Sequence, residues 1–527
     1  MAESPGSTKL FPALFAALVI LHVALLAASR LYPSVDLPDH LAAATIARDA
    51  GDPTNQFSRY YALDERLQPN TFHLFFCALK IFPSVELANR LFFCIYAILL
   101  PLSVLLIIRK AGGDPWFSLF SFLFIYNINV TWGFVGFAFA IPLTLLFYYF
   151  FLLEPGGMST PLRRILAALA LCGLFFVHLL AALFAILALL SALAWRARRG
   201  ARRTLSGLAV AAPLMVLVLV WWHSQRAPDQ PSLSSFLSAY YRSTFAETLG
   251  NRWGILIFDN SALQGSWMGR AVALFFSSAV LLPAFVLATS RSRRAGSAGG
   301  PGGARGSTVA GAEEPRREGA LLGPLLLASL LCALLLPNGI PGQPILYERF
   351  SSLLMLSVAL VASRRTRGLG KRFFSWAVPA VCAIHLALWA DYFIAFNREN
   401  AGFNAAFLPD AGGGRRLAGI IYDYDFRRKP VYVHFPSYYV VWKRGVTPMS
   451  IIDYRFGALR RKASFDTLPY YLVWVGRLNN LDDRYRDMNY LLARGDIPAG
   501  AGGFVEGFSR TRSAGAWSIY ERAAAPP

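Results

Sequence analysis

The residues best suited to chemistry stand early in the chain, in the stretch VDLPDHLAAATIARDAGDP. Asp36 and Asp39 lie three positions apart, with His40 beside the second. An ionised carboxylate can take a proton from a hydroxyl, and its power as a base follows from position and charge neighbours. Pro38 suits the first turn of a helix. Asp39 then falls near the positive end of that helix's dipole, which favours a carboxylate. The plain alternative is that Asp39 caps the helix within a solvated acidic loop. A second group lies far along the chain, in PILYERFSSLLMLSVALVASR, where Glu348 and Arg349 open an apolar run. A guanidinium offers paired, charge-assisted donors that fit a phosphate; the alternative is an interfacial Glu-Arg anchor. His73 opens a short apolar stretch and can touch a lipid head, or is simply an interfacial histidine. His178 interrupts an apolar run and either lines a cavity or marks a turn. Arg252, with His223, Arg226 and Arg242, belongs to the segment 224–266 and can meet an anionic substrate. Tyr438, Tyr439, Trp442 and Lys443 are candidates for an acceptor, although a folded core accounts for most aromatics.

The elements that must position these groups are membrane spans. The chain has 527 residues, 55% hydrophobic and only 15% charged, against about 25% charged in a soluble domain. Extended disorder is excluded by the same figures. The net charge of +21 would suggest nucleic acid in a soluble protein, but here the basic residues cluster beside apolar runs and read as topology. All five cysteines lie in apolar segments without metal-site spacing, as packing residues. The first apolar run is followed by Arg30-Leu31-Tyr32-Pro33, which is no small-residue cleavage site, so the run reads as an anchor.

Crossing about 30 Å of hydrocarbon takes roughly 20 helical residues. Eleven spans are expected, at 10–30, 86–108, 115–131, 133–153, 162–178, 179–195, 204–223, 267–290, 320–337, 345–363 and 373–395. With the N-terminus in the cytoplasm, every basic cluster falls on the cytoplasmic side. The loop 31–85 and everything after 395 then face outward. The apolar stretch 71–83 is too short for a span and is expected as a juxtamembrane or re-entrant helix. The Gly-, Ser- and Arg-rich linker 291–319 is expected to be a disordered cytoplasmic loop. The expected fold is therefore an α-helical polytopic membrane protein over 1–395, followed by a C-terminal soluble α/β domain over 396–527. In that domain VYVHF, YYLVWV, GGFVEGFS and AWSIYER read as strands, and 480–494 as helical.

The motifs resemble those of the GT-C glycosyltransferases, multispan enzymes that use polyprenyl-phosphate-linked sugars, among them protein mannosyltransferases and aminoarabinose transferases. Asp39 is followed by Ala47-Arg48 and then Gly51-Asp52 at the family's spacing, with His40 in the place of the second acid of the usual pair. Pro69, Glu86, Arg90 and Leu91 take the places of a Pro-led short helix, an acid and an Arg-Leu that opens a span. Tyr347-Glu348-Arg349-Phe350 resembles the family's arginine at the outer start of a late span. The resemblance implies transfer of a sugar, with inversion, from a polyprenyl-phosphate donor to a lipid, glycan or protein acceptor. It further implies Asp39 as base with Asp36 as partner, and Arg349 and Arg90 on the donor phosphate. His40, Glu348, His73, His178 and Arg252 are secondary candidates for contact with substrate.

No HExxH, P-loop or GxGxxG pattern occurs, and no cofactor is expected. A divalent metal held by Asp36 and Asp39, as in some oligosaccharyltransferases of the wider family, is the alternative. The partners expected are the donor, the acceptor and membrane lipids, without nucleic acid. The Ala-, Arg- and Gly-rich composition fits a GC-rich bacterial source and so the inner membrane, with the site facing the periplasm. Two rival classes remain open: a transporter or flippase of lipid-linked saccharides, which needs a polar path through the midplane, and a non-catalytic membrane scaffold.

Overall fold

The structure, a computed structural model, describes residues 5–154, 158–197, 207–224, 252–260, 263, 266–281, 322–340, 343–365, 371–450, 457–469, 483–497 and 505–523. Its helices include α1 (Pro5–Ala28), α2 (Leu37–Asp49), α3 (Phe57–Tyr60), α4 (Phe72–Ala78), α5 (Val85–Lys110), α6 (Ile128–Trp132), α7 (Val135–Phe147), α8 (Pro161–Val177) and α9 (Leu179–Ala197). They continue with α10 (Ala212–Ser224), α11 (Trp267–Leu281), α12 (Leu322–Leu335), α13 (Tyr347–Arg365), α14 (Lys371–Glu399) and α15 (Tyr438–Lys443).

Among the described residues, five helices are long and apolar enough to cross a membrane: Leu10–Ala28, Val85–Lys110, Val135–Leu152, Leu179–Arg196 and Trp376–Glu399. The chain is a helical membrane protein in that sense. Of the other expected spans, α10, α11 and α12 are apolar but shorter, and residues 282–290 lie outside the described residues. The expected span 115–131 is not one α-helix. Residues Pro115–Phe124 form a 3-10 helix, followed by the short α6. The Asp114 side chain accepts from Trp116 N at its start, and Ser118 and Ser121 hydroxyls donate to carbonyls three residues back. Such local bonding by serine competes with the α-helical ladder and suits the tighter 3-10 winding. The stretch 71–83 forms only α4, seven residues long, or about 10 Å at 1.5 Å per residue, too little to cross. The linker 291–319 lies outside the described residues.

The chain divides into two compact units. The first comprises Met1–Ala24, Ile95–Ile128 and Phe137–Trp389; the second, Leu25–Cys94, Asn129–Gly136 and Ala390–Pro527. The first unit is mainly helical and apolar, with one short antiparallel pair of β2 (Gly339–Ile340) and β3 (Gln343–Pro344). In it α12 and α13 share a Ser329–Ser357 hydroxyl contact of 3.0 Å, and Leu256, Ala333 and Leu354 form a small core beside it. A buried polar cluster ties α1 to α14: His22 Nδ1 lies 3.0 Å from Tyr126 Oη, the Tyr126 ring lies 4.8 Å from Trp389, and Trp389 Nε1 donates to His385 at 3.1 Å. Polar side chains of this kind bond helices together where water is absent.

The second unit carries a four-stranded sheet in the order β4-β6-β8-β7, made of β4 (Leu417–Ile421), β6 (Tyr490–Arg494), β8 (Trp517–Arg522) and β7 (Phe508–Ala514). Strand β4 is parallel to β6, and the other pairs are antiparallel. AWSIYER is a strand as expected, and YYLVWV lies outside the described residues. Of the expected helix 480–494, residues 480–482 lie outside the described residues, Asp483–Asp487 is a single 3-10 turn, and Tyr490–Arg494 is a central strand, buried at every position, where leucines follow the pairing rather than their helix preference. VYVHF is not a strand either. All five of its residues are buried, and it enters a 3-10 turn at Phe435–Ser437. The core beneath the sheet is aromatic, with Phe403 4.6 Å and Phe435 5.2 Å from Trp517. Arg494, 2% exposed, lies 3.7 Å from the Tyr432 ring centre and pairs with Glu399 and Asp423. That partnering is what allows a guanidinium to be buried at all.

Two further contacts tie the first loop to the chain's end. Strand β1 (Tyr61–Leu63) pairs antiparallel with β5 (Leu459–Arg461). Arg30 donates to the carbonyls of Phe403 and Asn400, just beyond the end of α14, where a cation meets the negative end of the helix.

Candidate functional site

Helix α2 begins as its sequence predicts, with Pro38 in its first turn and Asp36 at the N-cap position. Asp36 makes no side-chain capping bond, so its carboxylate is free to point elsewhere. Its backbone is fixed instead: Asp36 N donates to Trp132 O at 3.1 Å, and Val35 N to Thr131 O at 3.0 Å. Gly133 presses against this point with φ +90°, and a Cβ there would lie 2.7 Å from Asp36 N. Only glycine fits such a backbone at such a distance.

Asp39, one turn along, is wholly buried. Its carboxylate accepts from the Ser437 hydroxyl, from Ser450 Oγ at 3.0 Å and from Ser450 N at 3.2 Å. The alternative of a solvated cap gives way to a buried, fully bonded acid. The partner that binds both acids is His434, which sequence reasoning missed. Its Nδ1 lies 3.1 Å from Asp39 Oδ2 and its Nε2 3.3 Å from Asp36 Oδ1. A ring with a carboxylate at each nitrogen must donate from both, which only the imidazolium does. Burial alone would discharge His434, but the Asp39 and Asp36 carboxylates outweigh it and push its pKa up to about 10. Burial likewise works against the Asp39 charge, yet His434 and the serine donors hold its carboxyl below the usual range. The Asp36 side chain retains 28% of its exposure, against 1% for Asp39. Of the two acids, Asp36 is the one a solute can reach.

His40 and His73 stand behind this group. His40 is half-buried and hydrogen-bonded to the Gly133 backbone; burial lowers its pKa against the pull of Asp36 and Asp39. Its ring meets His73 edge-on at 5.8 Å. His73 is buried, bonds Asn89 Oδ1 at 3.0 Å, and is driven by burial and by His40 to a pKa of about 3. Both are neutral imidazoles at ordinary pH. Glu86 accepts from Trp442 Nε1 at 2.7 Å. Arg90, on α5, is half-buried, and its Nε has no hydrogen-bond partner. An ion bridging the two acids would have to displace the His434 ring. Among the described residues, no three His, Cys, Asp or Glu side chains converge as a ligand set.

The remaining candidates belong to the first unit. Arg349 and Glu348 are 5% and 6% exposed at the start of α13. Arg349 Nε donates to Ile345 O at 2.7 Å, and its Nη1 lies 3.5 Å from His178 Nε2. His178 stands in extended backbone at the break between α8 and α9. Arg252 does not await a substrate. It donates to Ala333, Leu334 and Leu336 carbonyls, each at 2.9 Å, and stacks 4.0 Å over the Tyr347 ring. It closes the C-terminal end of α12.

The signal that could have found His434 is a histidine in an apolar run, followed by Phe-Pro-Ser; the strand-like β-branched and aromatic residues of VYVHF concealed it. No protein-family model matches the chain, and no curated protein matches it.

Proposed function

We propose that this chain is an integral membrane glycosyltransferase of the GT-C type. It transfers a sugar from a polyprenyl-phosphate donor to a hydroxyl of a lipid, glycan or protein acceptor, with inversion and without a cofactor. Asp36 is the general base, and Arg90 stabilises the donor phosphate. As the bond from the acceptor oxygen to the anomeric carbon forms, the acceptor proton passes to Asp36. The anomeric carbon–phosphate oxygen bond breaks, and its electron pair leaves on the phosphate, where guanidinium charge is most useful.

The observation that carries this reading is the Asp36–His434–Asp39 arrangement. A reachable carboxylate is held at one edge of a buried imidazolium, whose other edge is neutralised by a second, inaccessible acid. That is costly to build for stability alone, because buried charges must recover their lost hydration. It keeps Asp36 oriented, as a base requires. The burial of Asp39 moves the base from Asp39 to Asp36 and leaves Asp39 as a positioning residue.

Topology supports a common outer face. The first loop is hydrogen-bonded to the segment 434–450, so the number of crossings between them is even. Eleven spans with a cytoplasmic N-terminus meet that condition and put both in the periplasm of a bacterial inner membrane. The 3-10 helix at Pro115–Phe124 serves as part of one return crossing, since it advances about 2.0 Å per residue rather than 1.5.

The test is an assay of the purified chain with a panel of polyprenyl-phosphate sugars, comparing wild type with Asp36→Asn. Sugar transfer that disappears in the variant supports the reading; transfer undiminished in Asp36→Asn removes the base.

A further inference from the structure

The chain reverses direction at Arg427 and Arg428. Phe426 and Lys429 close this turn, with Phe426 N donating to Lys429 O at 2.8 Å and Lys429 N to Phe426 O at 3.0 Å. Both central residues are left-handed, with φ +47° at Arg427 and +69° at Arg428. A two-residue turn of this shape usually takes Asn-Gly or Gly-Gly, because a longer side chain is strained there. Two arginines are a poor choice for folding alone.

Arg427 is held in place. Its Nη1 donates to Asp391 Oδ2 at 2.6 Å, and its guanidinium lies 5.4 Å from the Phe426 ring centre and 5.8 Å from that of Tyr392. Tyr392 Oη in turn donates to Phe426 O at 3.3 Å. The tip is thereby fixed to α14, and all these residues belong to the second unit. Arg428 is exposed, and among the described residues neither its guanidinium nor its backbone N–H has a partner.

The position of the tip along α14 sets its surroundings. Helix α14 is long and apolar enough to cross a membrane. Between Arg372 and Asp391 the chain has no Asp, Glu, Lys or Arg. From Lys371 to Asp391 the helix rises about 30 Å at 1.5 Å per residue, the thickness of the hydrocarbon layer. Asp391 therefore marks the level where polar head groups begin. One exposed face of the helix carries Ile384 and Ala387 before Asp391, and Ile394 and Arg398 after it, at helical spacing. Arg427, bonded to Asp391, and Arg428 beside it stand at the depth of lipid phosphates.

We propose that the Arg427-Arg428 tip binds the phosphate of an anionic glycerophospholipid, in the leaflet at the C-terminal end of α14. Arg428 supplies charge-assisted donors and its backbone N–H a further one, while Arg427 anchors the tip. The charges around it favour a lipid with net negative charge. Arg398, Arg427, Arg428 and Lys429 outnumber Asp391 and Asp425, and Asp423 and Glu399 pair with Arg494 instead. The lipid takes no part in sugar transfer, so the inference stands apart from the glycosyltransferase reading.

The test is native mass spectrometry of the purified full-length protein in detergent, titrated with phosphatidylglycerol and, separately, with phosphatidylcholine. Wild type should prefer phosphatidylglycerol. Arg428→Gly removes the guanidinium and relieves the turn. It should lose about fivefold in phosphatidylglycerol affinity, the usual worth of one cation at an anionic surface, while its unfolding temperature holds or rises. Arg428→Gln, which keeps a side chain in the strained turn, should lose as much. Arg428→Lys keeps the charge and should bind as wild type does. Arg510→Gln removes an equal charge from the exposed strand β7 and should change nothing. Phosphatidylglycerol affinity unchanged in both Arg428→Gly and Arg428→Gln overturns the proposal. An equal loss in Arg510→Gln also overturns it, by reducing the effect to net charge. So does equal binding of phosphatidylcholine, or displacement of the lipid by inorganic phosphate at matching concentration, which would make the ligand a free anion. A dimer that separates in Arg428→Gly would assign the tip to a second copy of the chain and overturn it as well.

Discussion

His434 Nδ1 lies 3.1 Å from the Asp39 carboxylate, and the other side of the same ring lies 3.3 Å from Asp36. Two acids from one helix start are thereby given different work. Asp39 is sealed and bonded on every side, whereas Asp36 keeps one face open.

That division predicts different consequences for two similar substitutions. Asp36→Asn should lower the transfer rate by about 10²–10⁴-fold, the usual worth of a positioned base, with little change in thermal stability. Asp39→Asn breaks a buried ion pair and should cost about 3–5 kcal/mol of stability. Initial rates and thermal unfolding of the two purified variants check this; equal losses of stability would contradict it.

The ion pair also sets a pH window. His434 is raised to about 10 from an ordinary 6.5, so its stabilisation is complete below about 6.5 and is lost as pH rises through about 10. Asp39 is held below its ordinary 3.8, so its contribution is present above about 4 and is lost as pH falls through the lowered value. Both edges belong to one pairing and count once. Thermal unfolding between pH 3 and 11 should show the plateau, and His434→Gln should abolish its alkaline edge.

Gly133→Ala tests the packing that fixes Asp36. The added methyl meets Asp36 N at 2.7 Å in a backbone with φ +90°. The strain should cost about 1–3 kcal/mol and lower the rate further by shifting the base. Rate and unfolding midpoint are the readouts, and a variant indistinguishable from wild type would show that the loop tolerates the shift.

The even number of crossings is open to a direct test. Asp52 and Ser513 are exposed in the second unit. Asp52→Cys and Ser513→Cys, each in a chain whose own cysteines are replaced, should react with a membrane-impermeant maleimide from the same side. Labelling from opposite sides would refute the topology.

Much of the local structure was legible in the sequence. Pro38 marked the start of α2, the five long apolar helices followed from hydropathy, and AWSIYER alternated as a strand does. What escaped was set by distant partners. Ser437 reaches Asp39 across 398 positions, and no spacing rule encodes such a bond. Arg252 looked like a cation awaiting an anion, but the carbonyls at the end of α12 claim it. VYVHF has the β-branched and aromatic residues of a strand, yet it is buried on all sides in the turn that delivers His434.

The antiparallel pairing of β1 with β5 has a consequence for biogenesis. Tyr61–Leu63 emerges from the ribosome long before Leu459–Arg461 is translated, and the partners of Asp39 come from the same late stretch. The Asp36–His434–Asp39 arrangement is thus among the last features to assemble, and a truncated translation product inserts its helices without ever acquiring it.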